Sequence, residues 1–450
     1  MKSIAQIAQD LSDGLTSSLA LVDAAIDRIV EHRNAGGSAY VSVDFESARV
    51  CAIASDKARS SGAALPLLAG IPISIKDLFD VEGQVTAAGS RLLAQAEPAS
   101  TDAIVVARLK AAGAILLGRT NMSEFAFSGL GLNPHFGTPV LPWDPARIAG
   151  GSSSGAAISV AGDMAVAALG TDTGGSVRIP SAFCGLTGFK PTARRVPVQG
   201  SFALSESLDS VGPLARSVED CVLLDEVLSA ERLNPVPMPL SGLRLLVTDD
   251  YVLDGLDAAT ASAFERTLKR LSNAGAEIVR FGFPELYELP GINAAGGLTA
   301  AEAWHLHRPW LQGPGADLYD PRVAQRIRRG ESLSAYDYLE LQKHRARLIA
   351  CARKHLEAAD AWLMPTVAIT APQLSELQAN DERFFATNAL VLRNPSVINF
   401  LDGCALSLPC HGAGETLPVG LSIAGLAGHD RHILSVGLSI ERCLRFPLNL

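Results

Sequence analysis

Lysine is scarce in this chain, with eight among 450 residues, so each one is worth placing. Seven cysteines (51, 184, 221, 351, 404, 410, 443) form no C-x-x-C pair. An odd, dispersed set fits free thiols in a reducing compartment better than a disulfide frame. Small core hydrophobes are their expected role, and the cytoplasm is the expected location. No block of like charge forms a tail, and a net charge of −9 discourages nucleic acid as a partner. No apolar run reaches membrane-spanning length, since Asp163 breaks the longest near-candidate. Residues 1–6 lack the apolar core of a signal peptide. There is no internal repeat and no low-complexity tract.

What remains is a long, Ala-, Leu- and Gly-rich chain able to bury a large core. Apolar residues at helical spacing predict helices over 3–12, 18–33 and 45–61. Ile71, Ile73 and Ile75 then alternate, as in a strand with one buried face, and Lys76-Asp77 follows. A helix over 102–112 feeds a short strand over 114–117, which is the layering of an α/β protein. Residues 121–137 read as a loop that could wall a pocket, and 143–148 as irregular and Pro-broken. Residues 155–161 read as a helix, 164–169 as a buried strand, and 171–175 as the turn ending it. Residues 185–216 read as loop, 218–228 as helix, and 231–242 as a Pro-rich surface connection. Strands are expected over 243–247, 278–281, 362–364, 405–408 and 419–423. Helices are expected over 258–274, 298–311, 335–357 and 430–443.

The densest chemistry lies between Ala149 and Arg178. Gly150-Gly151-Ser152-Ser153-Ser154-Gly155 and Gly170-Thr171-Asp172-Thr173-Gly174-Gly175-Ser176 form two glycine–hydroxyl turns around one apolar run. Glycines let a ligand approach the main chain closely. Ser152 and Ser176 are each expected at a helix N-terminus, where free N–H groups favour developing negative charge. Taken alone, Ser152 reads equally as a helix cap.

Three chemistries compete. Gly151-Ser152-Ser153-Ser154-Gly155 satisfies the G-x-S-x-G nucleophile elbow, but that motif needs a strand before it and an acid and histidine after it. His305-x-His307 offers no matching carboxylates for a metal. Asp172-Thr173-Gly174 matches the aspartic-protease triplet, but the second carboxylate that chemistry requires is missing. A Ser–Ser–Lys arrangement is the third.

Here the sequence resembles the amidase signature hydrolases over nearly its whole length. The resemblance is carried by the strand ending in Lys76-Asp77, by Leu117-Gly118-Arg119-Thr120-Asn121-Met122-Ser123-Glu124-Phe125, and by the Gly-Gly-Ser-Ser segment. Gly170 to Pro180, Gly188-Phe189-Lys190-Pro191-Thr192 and Ser207-Leu208-Asp209-Ser210-Val211-Gly212-Pro213 continue it. It implies an α/β fold with a single large mixed β-sheet surrounded by helices, formed by residues 1–450 as one domain, with N-terminal helices over 1–65 packed on it.

The resemblance also implies roles. Ser176 takes the nucleophile position, Ser152 the bridging position after a cis peptide, and Lys76 the general base. The N–H groups of Thr173, Gly174, Gly175 and Ser176 take the oxyanion hole. A serine hydroxyl needs a base to become a nucleophile, and a lysine can be that base only when desolvated and neutral. Arg178, Phe125, Gly129, Gly150 and Gly151 are expected at the substrate, with a structural ion pair as the competing role for Arg178. The apolar run from Phe125 to Phe136 favours an aryl or alkyl group over a strongly charged one. The implied reaction is hydrolysis of a small-molecule amide C–N bond through a seryl acyl-enzyme, without metal or organic cofactor, by a monomer or homodimer. Carbamates and aryl esters are alternative substrates. The A-type component of a glutamine amidotransferase, working inside a complex, is the alternative role.

Overall fold

A computed structural model describes residues 2–412 and 414–445. Its strands are β1 (Tyr40–Val43), β2 (Pro72–Lys76), β3 (Ile115–Thr120), β4 (Val140–Leu141), β5 (Asp144–Ile148), β6 (Ala167–Asp172) and β7 (Thr187–Lys190). They continue with β8 (Ser210–Ala215), β9 (Arg244–Thr248), β10 (Glu277–Phe281), β11 (Ala361–Pro365), β12 (Cys404–Pro409) and β13 (Gly420–Gly425). Eleven of them form one mixed sheet in the order β1-β3-β2-β6-β8-β7-β12-β13-β11-β9-β10. Its β2–β3, β2–β6, β9–β10 and β9–β11 pairs are parallel and the others antiparallel.

Helices cover both faces of the sheet, so its central strands are buried on both sides. On one face Ile73, Ile75, Ala167 and Leu169 pack with Val105, Val106 and Leu109 of the helix Ile104–Ala111 and with the helix Asp430–Arg445. On the other lies the helix Ser154–Ala161, apolar almost all round and buried along most of its length. The helices Ile4–Ser12, Ser18–Asn34 and Phe45–Ser60 start at Ser3, Ser17 and Asp44, whose side chains accept an N–H from the first turn. Segment 231–242 runs over the surface, tied to the last helix where Val236 and Met238 N–H groups reach Ser435 and Ser439 Oγ at 3.1 and 2.7 Å.

Three local expectations are corrected. β2 is buried on both faces rather than one, because the helix Ser154–Ala161 covers the face opposite the isoleucines, where Ser74 bonds Ser159 at 2.7 Å. The stretch 185–216 is not all loop: β7 and β8 lie at the centre of the sheet. Their glycines disguise them. A Cβ at Gly212 would sit 2.0 Å from the Phe189 carbonyl oxygen, so close strand packing demands glycine there against ordinary strand preference. Finally, 143–148 contains β5 despite Pro145. It pairs with β4 in a two-stranded ladder and bridges to Gln373 through Arg147, and proline is tolerated in so short a ladder.

Candidate active site

Alternation along β2 sends Ile73 and Ile75 to one face and Ser74 and Lys76 to the other. Ser74 meets Ser159 in the helix Ser154–Ala161, so Lys76 faces the start of the same helix, where Ser152 stands. Lys76 is fully buried. Its Nζ donates to Ser152 Oγ at 2.7 Å and to Thr171 Oγ1 at 2.8 Å. Burial lowers its pKa to about 7, against the opposing pull of Asp209 and Asp172. Neutral amine is therefore abundant at physiological pH, and it can accept a proton along the line to Ser152.

The Gly151–Ser152 peptide is cis. None of the three adjacent serines caps the following helix. Ser153 Oγ reaches the Thr171 carbonyl and Ser154 Oγ the Asn121 carbonyl, both at 3.4 Å, and both residues are fully buried. A central Ser153 nucleophile, as the elbow requires, has no opening to a substrate. The Ser153 N–H donates to the Ser176 carbonyl at 3.2 Å, which locks the two glycine–serine turns together. Ser176 lines a cavity of about 570 Å³ with Thr173 and Gly174.

Asp172 holds the second turn. Its carboxylate accepts the Gly175 N–H at 2.8 Å and the Val177 N–H at 3.2 Å. It also takes a two-pronged bond from Arg178, Nε and Nη2 each at 3.0 Å. Burial pushes its carboxyl pKa up, but Arg178, Lys190 and Asn399 together outweigh burial and hold it well below the usual carboxylate range. The triplet is thus a permanently ionised brace. Two expectations change here. The Gly175 N–H is committed to Asp172 and is not offered to the cavity. Arg178 is fully buried, its Nε and Nη2 bonded to Asp172 and its Nη2 also to the Pro395 carbonyl at 2.9 Å and Asn399 Oδ1 at 2.6 Å. Like Arg178, Phe125, Gly129, Gly150 and Gly151 are absent from the cavity wall. Phe125 packs instead into a cluster with Phe202, His307 and Tyr319. A Cβ at Gly151 would lie 2.6 Å from the Gly131 nitrogen, so that position serves backbone packing.

The cavity is charged where the sequence suggested an apolar wall. Arg326, Arg329 and Arg393 line it beside Phe127, Leu392 and Phe400. Among the described residues their guanidinium groups bond carbonyl or amide oxygens and no carboxylate. Arg326 donates to the Phe127 carbonyl and lies 4.3 Å over the Phe127 ring; Arg329 donates to the Ala294 carbonyl. Arg393 donates to Asn394 Oδ1, to the Asp254 carbonyl and to the Val252 carbonyl. Burial, with Arg329 nearby, lowers the Arg326 pKa to about 10.

Sequence reasoning misses these arginines, and also the helix Asp381–Phe400, which brings Leu392, Arg393, Ser396 and Phe400 to the cavity. Asn380 as cap with Asp381 and Glu382 in the first turn is the available signal. A larger cavity, about 1210 Å³, lies beside β1 and β3 and holds none of Lys76, Ser152 and Ser176. His305 is exposed while His307 is buried, and no group of three metal-ligating side chains exists among the described residues. No helix among them is long and apolar enough to cross a membrane.

An eleven-stranded mixed sheet carrying a buried lysine–serine pair beside a serine-lined cavity defines a hydrolase of the amide-cleaving type. Residues 20–434 match the Amidase family, and the chain belongs to it, as an enzyme acting on C–N amide bonds. It is 37% identical to a 2-amino-5-chloromuconic acid deaminase of Comamonas testosteroni over 412 residues, covering 90% of this chain and 88% of that one. It is 35% identical to the A-type component of the glutamyl-tRNA(Gln) amidotransferase of Roseiflexus castenholzii, covering 98% and 95%. A crystal structure described as an amidase superposes with a TM-score of 0.89 at 32% identity, covering 98% of this chain and all of that one.

Proposed function

We propose that this chain hydrolyses the amide bond of a small substrate bearing a carboxylate, through a seryl ester on Ser176. The observation that carries this reading is the buried Lys76 Nζ bonded to Ser152 Oγ at 2.7 Å. Neutral Lys76 takes the Ser152 proton as Ser152 takes that of Ser176. Ser176 Oγ then bonds to the acyl carbon, and the carbonyl oxygen becomes an oxyanion facing the N–H groups of Thr173, Gly174 and Ser176. The C–N bond breaks, and the leaving nitrogen carries away the proton returned through Ser152. Water, deprotonated by the same relay, opens the ester and releases the acid.

The carboxylate requirement follows from Arg326, Arg329 and Arg393. Three cations facing one cavity, none of them hydrogen-bonded to a carboxylate among the described residues, favour an anionic guest. The relative named for an aminochloromuconic acid agrees with that preference. A serine-reactive fluorophosphonate should attach to Ser176, and an adduct mapped to any other residue overturns the assignment. A panel of amides, anilides, carbamates and aryl esters, each with and without a carboxylate, should show amides with the carboxylate turned over fastest.

The likeness to the A-type components of amidotransferases over 98% of the chain favours one second reading, action inside a complex. Hydrolysis of simple amides by the purified chain alone sets that role aside. We place the protein in the cytoplasm, as one domain acting as monomer or homodimer, in keeping with its seven free cysteines.

A further inference from the structure

Two carboxylates lie near Lys76, and they differ in what surrounds them. Asp172 is neutralised by Arg178. Asp209, on the segment entering β8, is not neutralised in this way. Its Oδ1 accepts the Thr173 hydroxyl at 2.5 Å, and its Oδ2 accepts the Leu204 and Ser205 N–H groups at 2.9 and 3.2 Å. All of these donors are neutral, so its negative charge is uncompensated by any of them.

Resting on the acyl-enzyme reaction proposed for Ser176, we propose that Asp209 is a positioning residue that fixes Thr173 in the oxyanion turn and supplies the unneutralised negative charge felt by Lys76. Two observations meet in it. Thr173 lines the cavity next to Gly174 and Ser176, so whatever fixes its side chain fixes where its N–H points. Asp209 is also the foremost group drawing the Lys76 pKa upward against burial, ahead of Asp172. Burial raises the Asp209 carboxyl to about 6. It is therefore ionised over the range in which Lys76 gives up its proton. The other charges around this pair are accounted for. Lys190 Nζ is taken up by the Pro191 and Gly403 carbonyls, Glu302 by Ser205, Ser207 and Tyr338, and Arg326, Arg329 and Arg393 line the cavity.

The sign of the effect is fixed. A negative charge favours protonated Lys76, so removing it lowers the lysine pKa. The test needs no knowledge of the substrate: it is the second-order rate of fluorophosphonate attachment to Ser176, followed from pH 5 to pH 9. The wild-type rate should rise with a midpoint near 7. Asp209→Asn keeps the shape and should move that midpoint down by about one unit, the lower end for a charge at close range. Thr173→Val keeps the carboxylate and should slow attachment about tenfold, less than the roughly 10²-fold of losing an oxyanion donor outright. Thr173→Ser should restore the rate. A purely structural role would slow Asp209→Asn equally at every pH. A midpoint for Asp209→Asn within about 0.2 unit of wild type, well short of the shift a lost neighbouring charge produces, therefore overturns the proposal. Should Asp209→Asn fail to fold, Thr173→Val labelled as fast as wild type overturns it instead. Wild type labelled away from Ser176 removes the underlying reading itself, a result distinct from either.

Discussion

At the scale of single residues, the site depends on a lysine that has lost its water. The ammonium form of a buried lysine lacks solvation, so the neutral amine gains relative to it. Lys76 has two hydroxyl neighbours, Ser152 and Thr171, and no carboxylate among the described residues hydrogen-bonds it. With its pKa near 7, kcat/KM should climb with pH up to about 7 and level above it, because only the deprotonated amine can accept the Ser152 proton. A rate that instead fell across that interval would contradict its role as base. Ser176→Ala should abolish turnover, and Lys76→Ala should lower kcat by roughly 10³-fold or more, near the upper range for general base catalysis. Arg326→Ala should raise KM for a carboxylate-bearing amide by about tenfold to a hundredfold, the worth of a charged hydrogen bond. It should leave the KM of an uncharged amide nearly unchanged. Steady-state kinetics on a matched pair of substrates reads both.

At the scale of elements, the sequence is legible where one rule acts alone. Lys76 stands out because alternating isoleucines lead to it, and Ser152 and Ser176 because glycines surround them. The first three helices are visible from apolar spacing. β7 and β8 are hidden because Gly188 makes room for the Ser181 side chain and Gly212 for the Phe189 carbonyl, demands of distant neighbours that no local rule reports. The helix Asp381–Phe400 escapes notice although Asn380 announces it, because Pro395 within it obscures its continuity. Arg178 is ambiguous because its partners Asn399 and Pro395 come from that helix, over 200 residues away. Gly212→Ala should cost about 3 kcal/mol by forcing β7 and β8 apart, seen as an early melting transition in calorimetry. Asp172→Asn should also destabilise, by about 3–5 kcal/mol, since it strands Arg178 as a buried unpaired charge. A melting temperature like that of wild type for either variant would show that the turn and the strand pair tolerate more than their packing suggests.

At the scale of the whole molecule, a single sheet runs from β1 at one edge to β10 at the other and carries all of these parts. The purified chain should therefore elute on gel filtration as a monomer or dimer and, in the same fractions, release amine and acid in equal amounts from a carboxylate-bearing amide. Activity that emerged only after adding a cell extract would instead favour action inside a complex.

The three arginines of the cavity and the proposed reacting groups have separate origins along the chain. Lys76, Ser152 and Ser176 stand within the first 180 residues, on strands and turns at the centre of the sheet, whereas Arg326, Arg329 and Arg393 arrive on peripheral helical segments more than a hundred residues later. Such a division frees one half to vary while the other is held constant. A descendant or a laboratory variant could exchange the three arginines for apolar or acidic side chains, and so change diet, without disturbing the relay proposed for Lys76, Ser152 and Ser176.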